Sequence, residues 1–367
     1  MKVLMTADAV GGVWTYALEL SAALARHDVE VLLATMGPLP TAMQRERARE
    51  IPNLRLECSQ YKLEWMREPW DDVDRAGHWL QELADRQGAD IVHLNGYSHA
   101  ALDWSKPVLT VAHSCVYSWW RAVHRADPPQ EWSTYRARVT EGLNRADRIV
   151  APTQAFLDDL CRLYRPTTAT AVIHNARSPS FCLRTQPHKR LPAIFACGRL
   201  WDEAKSIRIL DSAVRGLPWH AYVAGDVIAP DGKYVRVSAL RCLGALSQRD
   251  LAAWLKRAAI FVHPARYEPF GLAVLEAALA GCALVLSDLP TLRELWSGAA
   301  IFVNANDAAA VKRALNGLIS DPERLRYLSE AARSRAYRYT PEVMADAYVA
   351  LYRDLIATSR RGERAVA

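Results

Sequence analysis

"AIFVHPARYEPFGLAVLEAALAGCALVLSD", residues 259–288, decides the fold. It opens on a short apolar run, "AIFVHPA", crosses a polar turn, and from Leu272 becomes a helix dense in Ala and Leu. A second apolar run, "CALVLSD", closes it. Strand, helix and strand in this order form one βαβ unit of a parallel sheet. Two carboxylates stand out. Glu268 lies just before a Pro269-Phe270-Gly271 turn, and Glu276 interrupts the apolar helix in its second turn.

The same alternation extends in both directions. Towards the C-terminus comes "AIFVNAND"; upstream lie "AIFACGRL", "WHAYVAGD" and "RCLGALSQRDLAAWL", in which Ser247 and Asp250 have the spacing of a capping box. A separate series begins at the N-terminus with "KVLMT" (2–6), a helix of period near 3.6 through "WTYALELSAALARH", and "VEVLLAT" (29–35). "DIVHL" (90–94), "PVLTVAH" (107–113) and "RIVAP" (148–152) follow, and Thr153 reads as the N-cap of "QAFLDDLCRLY". Nearly continuous apolar strands suit a parallel sheet covered on both faces. The expected class is α/β, with two doubly wound domains. The aperiodic, proline-containing stretch 177–192 reads as the linker. It separates residues 1–176 from 193–339, and a final helix, 340–367, starts at a Thr-Pro pair.

Composition narrows the partners. The net charge of +6 is mild, with 51% hydrophobic and 23% charged residues, and no block of like charges marks a nucleic-acid surface. A weak peripheral contact with a membrane stays open, although no basic amphipathic anchor stands out. Seven cysteines without a C-x-x-C pair fit a reduced, cytoplasmic protein. No apolar run approaches the roughly 20 residues of a membrane span, and the run before Asp8 is too short for a signal peptide. Oligomeric state is not legible.

Ligands of such sheets bind beyond the carboxyl ends of the strands. In "DAVGGVWTY", Gly11 and Gly12 follow the first strand and open a helix, so backbone amides can face an anion; a plain tight turn reads equally well. The G-x-G-x-x-G spacing of a dinucleotide site is missing. In "ACGRLWDEAKS", Arg199 and Lys205 straddle a loop after a strand, where two cations could neutralise a departing diphosphate, although surface Arg and Lys are common anyway. Free amides at the start of the Leu272 helix suit phosphate. Helical side chains tilt towards the N-terminus, so Glu276 can reach the ligand end. A carboxylate can accept hydrogen bonds from vicinal sugar hydroxyls, and Glu268 could do so for a second sugar. The alternative is two exposed glutamates flanking a core helix.

"EPFGLAVLE" resembles the E-x7-E signature of retaining, family-four-like glycosyltransferases of the GT-B fold (glycosyl transferases group 1). "GRLWDEAK" resembles their phosphate loop with its lysine one residue late, "VIHNA" (172–176) their V-I-P-N-G with His174 for Pro, and "GGVWTY" their N-terminal glycine loop. The likeness runs along nearly the whole chain. It implies two Rossmann-like domains facing across a cleft, the first on the acceptor side and the second on the donor side. The terminal helix would cross back onto the first.

The resemblance also implies roles. Glu276 would hold the ribose hydroxyls and Glu268 the donor sugar. Arg199 and Lys205 would take the diphosphate with the amides of Phe270, Gly271 and Leu272. Leu243 and Gly244 would lie near the base. His113, after "VLTVA", resembles the family's active-site histidine, though Ser114 and Cys115 follow where Asp is frequent; a lone histidine there is ordinarily structural. Trp119 and Trp120 could stack on an acceptor or merely pack over the sheet. "DDVD" (71–74) contains a D-x-D, but after Pro69 it reads as a helix start favoured by the dipole, and no metal is assigned.

The implied activity is a metal-independent, retaining transfer from a nucleoside diphosphate sugar to an unknown acceptor, with no cofactor beyond that co-substrate. A nucleotide-sugar epimerase on the same fold, or a non-catalytic nucleotide-sugar-binding protein, are the alternatives.

Overall fold

The computed structural model describes residues 1–183, 190–229, 232 and 234–366. Residues 184–189, the middle of the stretch read as a linker, and residue 367, the last of the stretch read as a terminal helix, lie outside the described residues. The chain divides into two compact units. One comprises Met1–Trp120, Ala126–Ala176 and Pro341–Ala367, the other Arg121–Arg125 and Arg177–Thr340.

In the first unit, seven strands form one parallel sheet. They are β1 (Lys2–Asp8), β2 (Glu30–Met36), β3 (Leu54–Cys58), β4 (Ile91–Leu94), β5 (Val108–Val111), β6 (Arg148–Ala151) and β7 (Thr170–Val172), in the order β3-β2-β1-β4-β5-β6-β7. In the second unit, β8 (Leu191–Cys197), β9 (His220–Ala224), β10 (Arg241–Cys242), β11 (Ala258–His263), β12 (Ala283–Ser287) and β13 (Ala300–Val303) are ordered β10-β9-β8-β11-β12-β13. Both sheets thus use the doubly wound order 3-2-1-4-5-6, and both reverse direction beside their first strand. The reversal points lie between β1 and β4 and between β8 and β11. The loops leaving those strands are where a ligand binds in such a sheet.

Strand and helix burial follow from the apolar patterning. β11 and β12 are buried along their whole length. In the first unit, Tyr16, Leu18 and Leu20 of the Gly12–Leu24 helix share a core with Tyr348 and Tyr352 of the helix Pro341–Val366. That terminal helix therefore packs on the first unit. The caps expected at Thr153 and Ser247 are present: Thr153 accepts from the Phe156 amide, and Ser247 from that of Asp250 at 3.1 Å. "DDVD" opens the helix Trp70–Gln87, where Asp72 pairs with Arg75 and Asp74 with Arg138. Two edge strands, β3 and β7, escaped the reading of the sequence. Among the described residues, no helix is long and apolar enough to cross a membrane.

Candidate functional site

β8 and β11 are neighbours at the reversal point of the second sheet, and each is followed by a loop carrying predicted site residues. After β8 the chain turns through Gly198 and Arg199 into a short 3-10 turn, Glu203–Lys205, capped by Asp202, whose Oδ1 accepts from the Ala204 amide at 3.0 Å. After β11 it runs through Arg266 and Glu268 to Gly271. The Arg266 amide donates to the Ala204 carbonyl at 2.7 Å, tying the two loops together. The result is a contact between residues far apart in sequence: Lys205 Nζ donates to Glu268 Oε2 at 2.8 Å.

His263, the last residue of β11, completes this cluster. Its Nε2 lies 2.9 Å from the same Glu268 oxygen. Burial would push the Glu268 carboxyl up, but the Lys205 ammonium and the His263 hydrogen bond outweigh it and hold it well below the ordinary range. Burial pulls the His263 imidazole below its usual value, against the pull of Glu268. An ionised carboxylate only accepts. His263 therefore carries a proton on Nε2 and donates it to Glu268. The sequence hid this partner inside an apolar strand, where its only signal was one polar residue in "AIFVHPA".

Arg199 stands at the rim. Its Nη2 donates to Asp202 Oδ2 at 3.1 Å, its guanidinium lies 5.5 Å from the Trp201 ring centre, and its side chain is 46% exposed. The helix Leu272–Leu279 starts at Gly271 without a side-chain cap, so its first amides present positive charge at the carboxyl end of β11. Gly271 has φ +88°, and an added Cβ would lie 3.1 Å from Val274 Cγ2 and 3.3 Å from Glu268 Cγ. Gly271→Ala is expected to cost about 1–2 kcal/mol of stability, the left-handed penalty for an L-residue. Urea denaturation of the two proteins measures it, and an unchanged midpoint would contradict the strain. The Phe270 side chain faces inward, edge-on to Tyr339, so only its backbone is offered to a ligand.

Glu276 has an ionic partner that the sequence did not reveal. It is 8% exposed, and Arg177 Nε donates to its Oε1 at 2.8 Å. Arg177, from the stretch read as a linker, is 1% exposed. Its guanidinium lies 4.3 Å from the Phe181 ring centre, and its amide donates to the Tyr339 carbonyl. Arg177–Leu183 thus packs within the second unit, where a buried carboxylate requires a counter-charge. Leu243 and Gly244 follow β10; the Leu243 amide donates to the Val223 carbonyl, and the Gly244 carbonyl accepts from Gly225. Gly225 must be glycine, because an added Cβ would sit 1.8 Å from the Gly198 oxygen.

The remaining predicted residues belong to the first unit. Gly11 caps the Gly12–Leu24 helix with no side-chain bond, and both glycines are exposed. His113 follows β5. Its Nε2 lies 2.8 Å from Asn95 Oδ1, its ring centre is 4.5 Å from that of Tyr16, and burial lowers its pKa to about 3. Trp119 and Trp120 lie in the helix Val116–His124, edge to face at 6.0 Å and partly buried.

Two parallel six- and seven-stranded sheets of this order, with Arg199, Lys205, Glu268 and His113 just beyond strand ends, have the architecture of the GT-B class. Solved structures agree. Sucrose-phosphate synthase from Thermosynechococcus elongatus superposes with a TM-score of 0.79 at 18% identity, covering 98% of this chain and 100% of that one. Anabaena Alr3699/HepE in complex with UDP and glucose gives 0.77 at 14% identity, covering 97% and 100%. The model of Glycosyltransferase Family 4 matches residues 10–181, and that of Glycosyl transferases group 1 matches residues 238–335. The chain belongs to the group 1 glycosyltransferases. Similar curated proteins include a D-inositol 3-phosphate glycosyltransferase of Streptomyces bingchenggensis, 26% identical over 97% of this chain and 87% of that protein. A glycogen synthase of Mycobacterium tuberculosis is 28% identical over 79% and 74%.

Proposed function

We propose that this glycosyltransferase takes its sugar from a nucleoside diphosphate donor held by the second unit, and transfers it with retention of anomeric configuration. The observation that carries the reading is the Lys205–Glu268–His263 cluster beside an uncapped helix start at the reversal point of the sheet. A diphosphate leaving group gathers charge as its glycosidic bond breaks. Arg199, Lys205 and the amides of Gly271 and Leu272 supply positive charge there, so the reading asks for no metal and no cofactor. Glu268, kept ionised, accepts from hydroxyls of the donor sugar. Glu276, oriented by Arg177, accepts from the ribose. HepE, whose fold this chain shares, has been solved with UDP and with UDP-glucose, which supports a nucleotide-sugar donor.

An oxocarbenium-like state with the acceptor attacking from the leaving-group face needs no enzymic nucleophile. This part rests on the family. The first unit, with His113, Trp119 and Trp120, is assigned the acceptor side.

Calorimetric titration with UDP, GDP, ADP and TDP in metal-free buffer tests the donor site, with Arg199→Ala as control. One nucleotide should bind, and bind more weakly to the variant. Binding of none would overturn the reading. On the matching nucleotide-sugar, Arg199→Ala should lower turnover by roughly 10²-fold or more. Near-normal turnover would remove Arg199 from the site.

A further inference from the structure

Behind His113 lies a set of buried and partly buried polar side chains at the reversal point of the first sheet. Asn95, just after β4, is fixed by two bonds to Thr6 of β1: its amide N–H donates to Thr6 Oγ1 at 2.9 Å, and its Nδ2 donates to the Thr6 carbonyl at 2.6 Å. Because a carbonyl only accepts, the side-chain amide can be oriented in one way, with Oδ1 turned away from Thr6. That oxygen lies 2.8 Å from His113 Nε2 and 3.3 Å from His93 Nε2. His93 is fully buried, and its Nδ1 lies 2.6 Å from the hydroxyl of Tyr352 on the terminal helix. Its Nε2 also meets Tyr16 Oη at 3.2 Å.

The contact at 2.8 Å determines one proton: Asn95 Oδ1 can only accept, so His113 carries a proton on Nε2. Among the described residues, no protein group bonds to His113 Nδ1.

We propose that Asn95 is a positioning residue: it locks His113 in the Nε2–H tautomer, so that Nδ1 is left as a hydrogen-bond acceptor for a substrate hydroxyl. The locked ring cannot donate from Nδ1 and so does not pair with a phosphate. It selects a group with a proton to give, which is a sugar hydroxyl. Thr6 fixes Asn95 from one side, and Tyr352 fixes His93 on the other. The substrate-facing half of this assignment rests on placing His113 in the site; the tautomer half does not.

Nitrogen-15 NMR of imidazole-labelled, ligand-free protein reads the tautomer directly, with His113→Phe identifying the signal. Wild-type protein should show His113 as Nε2–H alone. Asn95→Leu removes the acceptor and should give a mixture containing Nδ1–H. Asn95→Asp keeps an acceptor oxygen and should retain Nε2–H. A wild-type Nδ1–H tautomer, or an Asn95→Leu protein indistinguishable from wild type, would overturn the proposal. Unchanged near-ultraviolet circular dichroism shows that each variant is folded. Turnover of the donor found in the nucleotide screen separates the second half: Asn95→Leu should lower kcat about 10-fold or more with donor KM within about twofold, and Asn95→Asp should recover part of it. If His113→Phe turns over normally while the tautomer shift appears, the positioning stands and the assignment of His113 to the site fails.

Discussion

Lys205→Met should lower turnover by roughly 10²–10³-fold, the usual cost of removing one aligned charge from a developing oxyanion. It should also destabilise the second unit, for a separate reason. Lys205 and Glu268 are only 20% and 15% exposed, and removing one member of a largely buried pair leaves the other charge without its counter-ion. Such losses reach about 3–5 kcal/mol when burial is complete, so a smaller value is expected here. The pH dependence identifies the source. The folded Glu268 carboxyl lies below its unfolded value, so its contribution is complete above the ordinary carboxylate range and is lost as pH falls towards the folded pKa. The gap in thermal stability between wild type and Lys205→Met should therefore be widest near neutrality and narrow below about pH 4. Glu268→Gln in the same background should restore stability without restoring turnover. A gap that ignores pH would mean that the ion pair is not its cause.

The sequence revealed most of the fold, and the physical reason is visible in what it missed. The central strands are buried on both faces, so they read as unbroken apolar runs. β3 and β7 do not: β3 alternates Leu54, Arg55, Leu56, Glu57 with its charges towards solvent, and β7 has only three residues. Both lie at sheet edges, where one side of a strand needs no apolar partner. The candidate site divides in the same way. Residues next to a strand end and a glycine turn, such as Lys205, Glu268 and Gly271, stood out in the sequence because local chemistry marks them. Partners brought in by tertiary structure did not. His263 looked like part of a core strand and Arg177 like part of an aperiodic connection, and nothing singled out Asn95 directly after "DIVHL".

Arg177 gives the second large effect, because it separates what Glu276 does for the fold from what it does for a ligand. The Arg177 side chain is 1% exposed and that of Glu276 10%, so Arg177→Met leaves a buried carboxylate without its cation. A loss of about 3–5 kcal/mol is expected, with the lost cation–π contact to Phe181 adding to it. Replacing both partners with apolar residues behaves differently, since no charge is then stranded in the interior. Arg177→Met with Glu276→Leu should recover most of the lost stability. If the pair were only a structural device, the double variant would bind the donor nucleotide as wild type does. A carboxylate that also accepts from ribose hydroxyls cannot be replaced by leucine without loss; hydrogen bonds to charged groups are worth about 1.5–3 kcal/mol each, so affinity should fall roughly 10- to 100-fold. Calorimetry and thermal melts on the same three proteins decide it. A stable double variant with undiminished nucleotide affinity would leave Glu276 as a core residue and move ribose recognition elsewhere in the second unit.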